Sequence, residues 1–241
     1  KGPWAYVPFA VSNLLFGQVM WGIRLIELFI LAPALYLTFR LVEAYTSTHI
    51  GAWSAVALFL WIASAGWFAT AEPEVWIAAL SVVAFYPFLV PRTAPPGWGI
   101  ALLVGLLIGI AGLVKPFYLA YGAVPVAAAV TASGFSWRFA IHNGFWVGVG
   151  IVATLLVTAA YLWSLGGLME AIDVHLGFTA SAYWETGNAI DFLKAAVEVP
   201  TQGTFTVTAP FVALGLWSLR TNVRLLAPMA VWLGLGLFFA L

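Results

Sequence analysis

The sequence predicts an all-α integral membrane protein with about eight transmembrane helices and further helices lying at the extracytoplasmic interface. Three observations predict it. Of 241 residues, 63% are apolar and only 7% are charged, where a soluble domain carries about a quarter charged side chains. The mean hydropathy is +1.03. The apolar residues gather in continuous runs and lack the alternating pattern of membrane β-strands, which favours helices over a barrel. The few charges also sort by sign between alternate loops.

Taken in order, the chain opens with GPWAYVPFAVSNLLFG, aromatic and apolar but short of a clean span, and predicted as a surface helix. Runs that can cross a hydrocarbon core follow at about 24–42, 52–70, 75–90, 99–114, 117–132, 142–165, 204–219 and 225–241. Several are at the short limit. The two runs flanking Lys115 are therefore read either as two spans or as one broken, re-entrant element, and the count is eight, give or take one. In the segment 166–203, GLMEAIDVHLGF sets Leu168, Ile172 and Leu176 at helical spacing with Glu170 and Asp173 on another face. NAIDFLKAAVEV repeats the pattern with Asp191, Lys194 and Glu198. Both are predicted to lie along the interface. No linker or internal repeat divides residues 1–241, so they read as one transmembrane domain. The opening at Lys1 and the stop inside VWLGLGLFFAL suggest a chain cut at both ends.

Numbering the spans in order puts Arg40, Arg92, Arg138, Arg220 and Arg224 on one side, opposed only by Glu43. The other side receives Glu72, Glu74, Glu170, Asp173, Glu185, Asp191 and Glu198 with Lys1, Lys115 and Lys194. Cytoplasmic loops collect Lys and Arg, so the acidic side is predicted to be extracytoplasmic. The nine basic residues are scattered singly and the net charge is zero, which excludes a phosphate-neutralising patch for nucleic acid. With no cysteine there is no disulfide, thiolate metal site or thiol nucleophile. His49, His142 and His175 lack metal-ligand spacing.

Two features stand out chemically. In ATAEPEVW, Glu72 and Glu74 flank Pro73 where a helix begins on the outer side. Proline suits the first helical position, which makes Glu72 a cap and gives Glu74 a charge that the helix dipole favours. The functional alternative is a rim carboxylate pair that holds a metal, a cationic group or a proton. In GLVKPFYL, Lys115 closes an apolar run ahead of a proline. It either snorkels to water or offers fixed positive charge to an anionic substrate. Arg24 and Glu27, three apart, are expected to pair with each other. Gly105 with Gly109, and Gly144 with Gly148, fit close helix packing.

These stretches together resemble a known family. KGPWAYVPFAVSNLLFGQVMWGIRL resembles the "K-P-P-L-x-Y-W … l-f-G … x-R-L" segment of polytopic glycosyltransferases of the protein O-mannosyltransferase and aminoarabinose-transferase type, which have the GT-C fold. Lys1, Pro3, Tyr6, Gly17 and Arg24 fall in the corresponding order, with Gly2 in place of the usual first proline. ATAEPEVW resembles the family's "A-R-P-D/E" stretch, GLLIGIAGLVKPFYL its "G-x-x-x-G-l-a-x-L-x-K-g-p" stretch, and YLWSLGGLMEAIDVHLGFTASAYW its later outer segment. The likeness covers residues 1 to about 185.

The resemblance implies transfer of a sugar from a polyprenyl-phosphate donor to an acceptor at the extracytoplasmic face of a bacterial inner membrane. Lys1 and Lys115 would meet the donor phosphate. Glu74, with Glu72 beside it, would stand near the donor or a divalent cation. In the family the principal catalytic acid precedes the "K-P-P" segment, and the resemblance places it upstream of Lys1. The alternative is a non-catalytic subunit that keeps a transferase-like scaffold within a larger membrane complex. A transporter fits less well, because the ionisable residues gather at the rim and not at the midplane.

Overall fold

The computed structural model describes residues 3–64, 73–91, 96–132, 137–178, 217, 220 and 222–240. Among the described residues every regular element is helical. A 3-10 turn at Pro3–Tyr6 leads into α1, Val7–Phe16, which stops at Gly17, whose φ of 74° is left-handed backbone that glycine adopts without strain. α2 spans Met20–Tyr45, carries Pro33 in its interior, and is joined through Thr46 and Ser47 to α3, Thr48–Ser64. α4 spans Pro73–Leu89, with proline at the first helical position as the sequence predicts. α5, Trp98–Val114, ends because Pro116 disfavours helical backbone at Lys115, which is extended at φ −143° and ψ 124°. A 3-10 segment, Pro116–Gly122, and α6, Ala123–Ala132, follow. α7 is the longest helix, Trp137–Ser164, and a turn with Gly166 at φ 73° leads to α8, Leu168–Ile172, continued as a wider turn to Phe178. α9 spans Val223–Ala240.

α2 and α7 are long and apolar enough to cross a membrane. Large apolar side chains lie exposed along them, among them Phe29, Leu156, Val157 and Trp163. The predicted run at 117–132 is not one α-helix. The 3-10 segment and α6 together cover about 29 Å, from about 2.0 and 1.5 Å per residue. The run at 204–219, apart from Trp217, and the amphipathic segment NAIDFLKAAVEV lie outside the described residues.

Side-chain bonds define two ends of the bundle. At one, the Tyr45 hydroxyl at the end of α2 donates to the Leu89 carbonyl at the end of α4, 2.6 Å away. Thr131 Oγ1 near the end of α6 donates to the Arg224 carbonyl at the start of α9, at 3.3 Å. At the other end, Ala5 packs with Ile77 from the start of α4 and with Ala111 and Val114 from the end of α5. Trp4 Nε1–H donates to Thr158 Oγ1 in the last third of α7, at 3.0 Å. Neighbouring elements therefore alternate in direction from α2 through α7, and α5 and α7, two crossings apart, run parallel. The core lies between α4, α5, α6, α7 and α9 around Phe85, which is fully buried and meets Tyr121 and Trp232 edge-on at 6.0 and 5.3 Å. An apolar cavity of about 470 Å³ lies between α2, α3, α4 and α9, bounded by Val75 near the start of α4 and Leu89 at its end.

Candidate functional site

Three chain segments more than 30 residues apart converge on the cluster of Ala5, Ile77, Ala111 and Val114. Each carries or adjoins a residue singled out in the sequence. Ala5 stands four positions after Lys1, Ile77 three after Glu74, and Val114 immediately before Lys115. The packing is apolar, so burial of small aliphatic surface brings these segments together, with Lys115 directly after the buried Val114.

Lys1 and Glu72 lie outside the described residues, as does the side chain of Glu74. The backbone of Glu74 is the second residue of α4, in the first turn, where helix N–H groups point outward and favour an anion. Lys115 is half-buried. Its N–H donates to the Ala111 carbonyl at 3.0 Å and its own carbonyl accepts from Tyr118 N–H at 3.1 Å, which ties the helix break to the 3-10 segment. Its ammonium stands 5.6 Å from the centre of the Phe117 ring, a cation–π contact that holds the charge near the aromatic residues Phe117 and Tyr118.

Arg24 and Glu27 form the expected pair, with Nη1 donating to Oε2 at 2.9 Å. The sequence does not reveal the depth of the pair. Glu27 is 4% exposed and its second oxygen, Oε1, is buried without a hydrogen-bond partner. Two further polar groups at this end escape sequence reasoning: the Trp4–Thr158 bond and the indole N–H of Trp76, buried with no acceptor. Tryptophan near a helix start reads only as an interface anchor, so no sequence signal marks either one.

Among the described residues no group of three or more His, Asp or Glu side chains could hold a metal ion. Glu170 and Asp173 occur in the helical turns that follow α7 at this same end. Sorted by end, the described charges are Arg24, Glu27, Lys115, Glu170 and Asp173 at the Ala5 end, against Arg40, Glu43, Arg138, Arg220 and Arg224 at the Tyr45 end.

No family model, curated protein or solved structure matches this chain.

Proposed function

We propose that the chain is a membrane-embedded glycosyltransferase of the GT-C type. It transfers a sugar from a polyprenyl-phosphate donor to an acceptor at the Ala5 end of the bundle, which faces the extracytoplasmic side of a bacterial inner membrane. The observation that carries this reading is the convergence of the Lys1, Glu74 and Lys115 segments through Ala5, Ile77 and Val114. These are the segments in which the sequence resembles the family. The apolar cavity along α4 is of a kind to take an isoprenoid tail, since its wall is aliphatic apart from Thr38, Met229 and Trp232 and Thr38 gives its hydroxyl to the Ala34 carbonyl.

In this reading eight helices span the bilayer and the surface helices roof the outer face. The Lys115 and Lys1 ammonium groups neutralise the donor phosphate, which lowers the cost of its departure as the sugar carbon is attacked by the acceptor. In this reading Glu74, with Glu72 beside it in the sequence, is the carboxylate that serves the donor. The test is transfer from a panel of polyprenyl-phosphate sugars by the Glu74→Gln variant. Turnover should fall about 100-fold, the scale of a lost proton-handling or charge-stabilising carboxylate, while the thermal midpoint stays unchanged. Undiminished turnover would remove Glu74 from the mechanism. Lys115→Met should raise KM for the donor without changing its melting behaviour, and an unchanged KM would remove the phosphate role.

A further inference from the structure

Four helices stand in a row in which each packs on the next: α3 on α2, α2 on α4 and α4 on α9. All four line the apolar cavity of about 470 Å³, α3 through Leu58 and α9 through Met229 and Trp232. α3 and α9 are the two ends of that row, so the cavity is a groove that faces sideways between them. Thr38 and Trp232 carry the only polar side-chain atoms in its wall, and the Thr38 hydroxyl is spent on the Ala34 carbonyl at 2.8 Å. Water finds few partners there, and an empty groove forfeits the dispersion contacts of its wall. In a bilayer such a groove fills with hydrocarbon. At about 1.5 Å per residue its wall rises about 17 Å from Leu31 to Val42 and about 21 Å from Val75 to Leu89. Half of a roughly 30 Å hydrocarbon core is roughly 15 Å, so the groove suits one chain from one leaflet, laid along the helices.

The charges at its two ends decide which lipid that is. Toward the Ala5 end, the α2 stripe of Thr38, Leu35 and Leu31 continues to Glu27 and Arg24 at the same spacings of three and four. Those two neutralise each other at 2.9 Å and are mostly buried. Toward the Tyr45 end, the groove stops at Leu89, whose carbonyl accepts from the Tyr45 hydroxyl at 2.6 Å. The Arg224 guanidinium lies within electrostatic reach of that hydroxyl and is exposed. Its backbone is fixed by Thr131 Oγ1, which donates to the Arg224 carbonyl at 3.3 Å, and Met229, five residues on, lines the groove. Arg40, by contrast, pairs with Glu43 at 3.2 Å. A hydrocarbon slot with an exposed guanidinium at one end matches a lipid with a negative head group. We infer that the groove between α3 and α9 binds one acyl chain of an anionic phospholipid, with the lipid phosphate at Arg224. The inference goes beyond the transferase reading and stands without it. A donor tail that entered the same groove from the Ala5 end would have to displace this chain.

The experiment delipidates the full chain in mild detergent and titrates it with phosphatidylglycerol and with phosphatidylcholine of the same acyl chains, reading bound lipid by native mass spectrometry. Phosphatidylglycerol should bind roughly five- to tenfold more tightly, the scale of one contact between a phosphate and a charged side chain. Arg224→Gln should bring it down to the affinity of phosphatidylcholine and leave the latter unchanged. Ala78→Trp, at an exposed position in the groove wall, should weaken both lipids alike. If that variant melts below the parent, Leu58→Trp blocks the groove from the α3 wall instead. Equal affinities for the two lipids in the parent chain, or a preference that survives Arg224→Gln, overturns the inference. Undiminished binding to a folded, groove-blocked variant places the chain elsewhere and overturns it too. Displacement of the phospholipid by sn-glycerol 3-phosphate, which has the phosphate and no chain, would reveal a free-phosphate site and has the same effect. Sugar transfer enters none of these measurements, so this inference and the transferase reading fail separately.

Discussion

Two Arg–Glu pairs on one helix show how depth, not spacing, decides what an ion pair contributes. Arg24–Glu27 and Arg40–Glu43 share the i, i+3 spacing, with N···O distances of 2.9 and 3.2 Å. The side chains of the first pair are 20% and 5% exposed, and those of the second 49% and 28%. Removing one partner of a buried pair strands the other charge and costs about 3–5 kcal/mol, whereas an exposed pair contributes about 0–1 kcal/mol. Glu27→Ala should therefore lower the thermal or denaturant midpoint markedly and Glu43→Ala barely, even though Glu43 also accepts from the Thr48 hydroxyl at 2.8 Å. Equal losses for both variants would show that Glu27 is solvated. The pairing itself is legible in the sequence, because three residues of helix fix it. The burial is not, because it depends on α4 covering the Leu31 stripe from more than 40 positions away.

At the scale of elements, the glycine spacings illustrate the same division. The sequence offers Gly105 with Gly109 and Gly144 with Gly148 on equal terms. In the structure the first pair lines the α5–α7 seam: a Cβ on Gly105 would run into the Val147 carbonyl, and one on Gly109 would stand 2.7 Å from Thr154 Cβ. The α7 glycine that answers them is Gly150, whose added Cβ would strike the Leu102 carbonyl. Gly148 faces open space, and Gly144 meets only a Val126 methyl, at 3.3 Å. Close backbone approach also lets Thr154 Oγ1 donate across the seam to the Leu106 carbonyl at 3.2 Å, beside its bond to Gly150 at 3.1 Å. Gly105→Ala and Gly150→Ala should each cost about 1–3 kcal/mol, as overpacking against rigid backbone does, while Gly148→Ala should be neutral or slightly stabilising. A thermal melt in mild detergent separates them, and equal midpoints for Gly105→Ala and Gly148→Ala would disprove the seam. The helix boundaries themselves were readable where proline or glycine sets them, at Gly17, Pro73 and Pro116. The 3-10 start of the predicted 117–132 span was not, since an apolar run carries no mark of its hydrogen-bond period.

For the whole molecule, the proposed orientation rests on the division of charge between the two ends. Among the described side chains, the Tyr45 end holds Arg40, Arg138, Arg220 and Arg224 against Glu43, and the Ala5 end holds Glu27, Glu170 and Asp173 against Arg24 and Lys115. Counting charges along the sequence assigns these residues to the same two sides, because helix alternation is all the count needs. In the proposed reading, the positive-inside bias turns the Tyr45 end toward the cytoplasm. The chain has no cysteine, so a single introduced thiol reports its own side without background. Met169→Cys in α8, at a residue 64% exposed, should react with a membrane-impermeant maleimide added to intact cells or right-side-out vesicles. Ser47→Cys between α2 and α3 and Trp137→Cys at the start of α7, both exposed positions, should react only after the membrane is opened. Labelling of all three from the same side would break the two-ended bundle. A clean reversal would keep the bundle but point the Lys115 rim at the cytoplasm, where a polyprenyl-phosphate sugar transferase of the proposed kind would have its acceptor on the wrong side. The two failures thus strike different parts of the account, and the pattern of three labels distinguishes them.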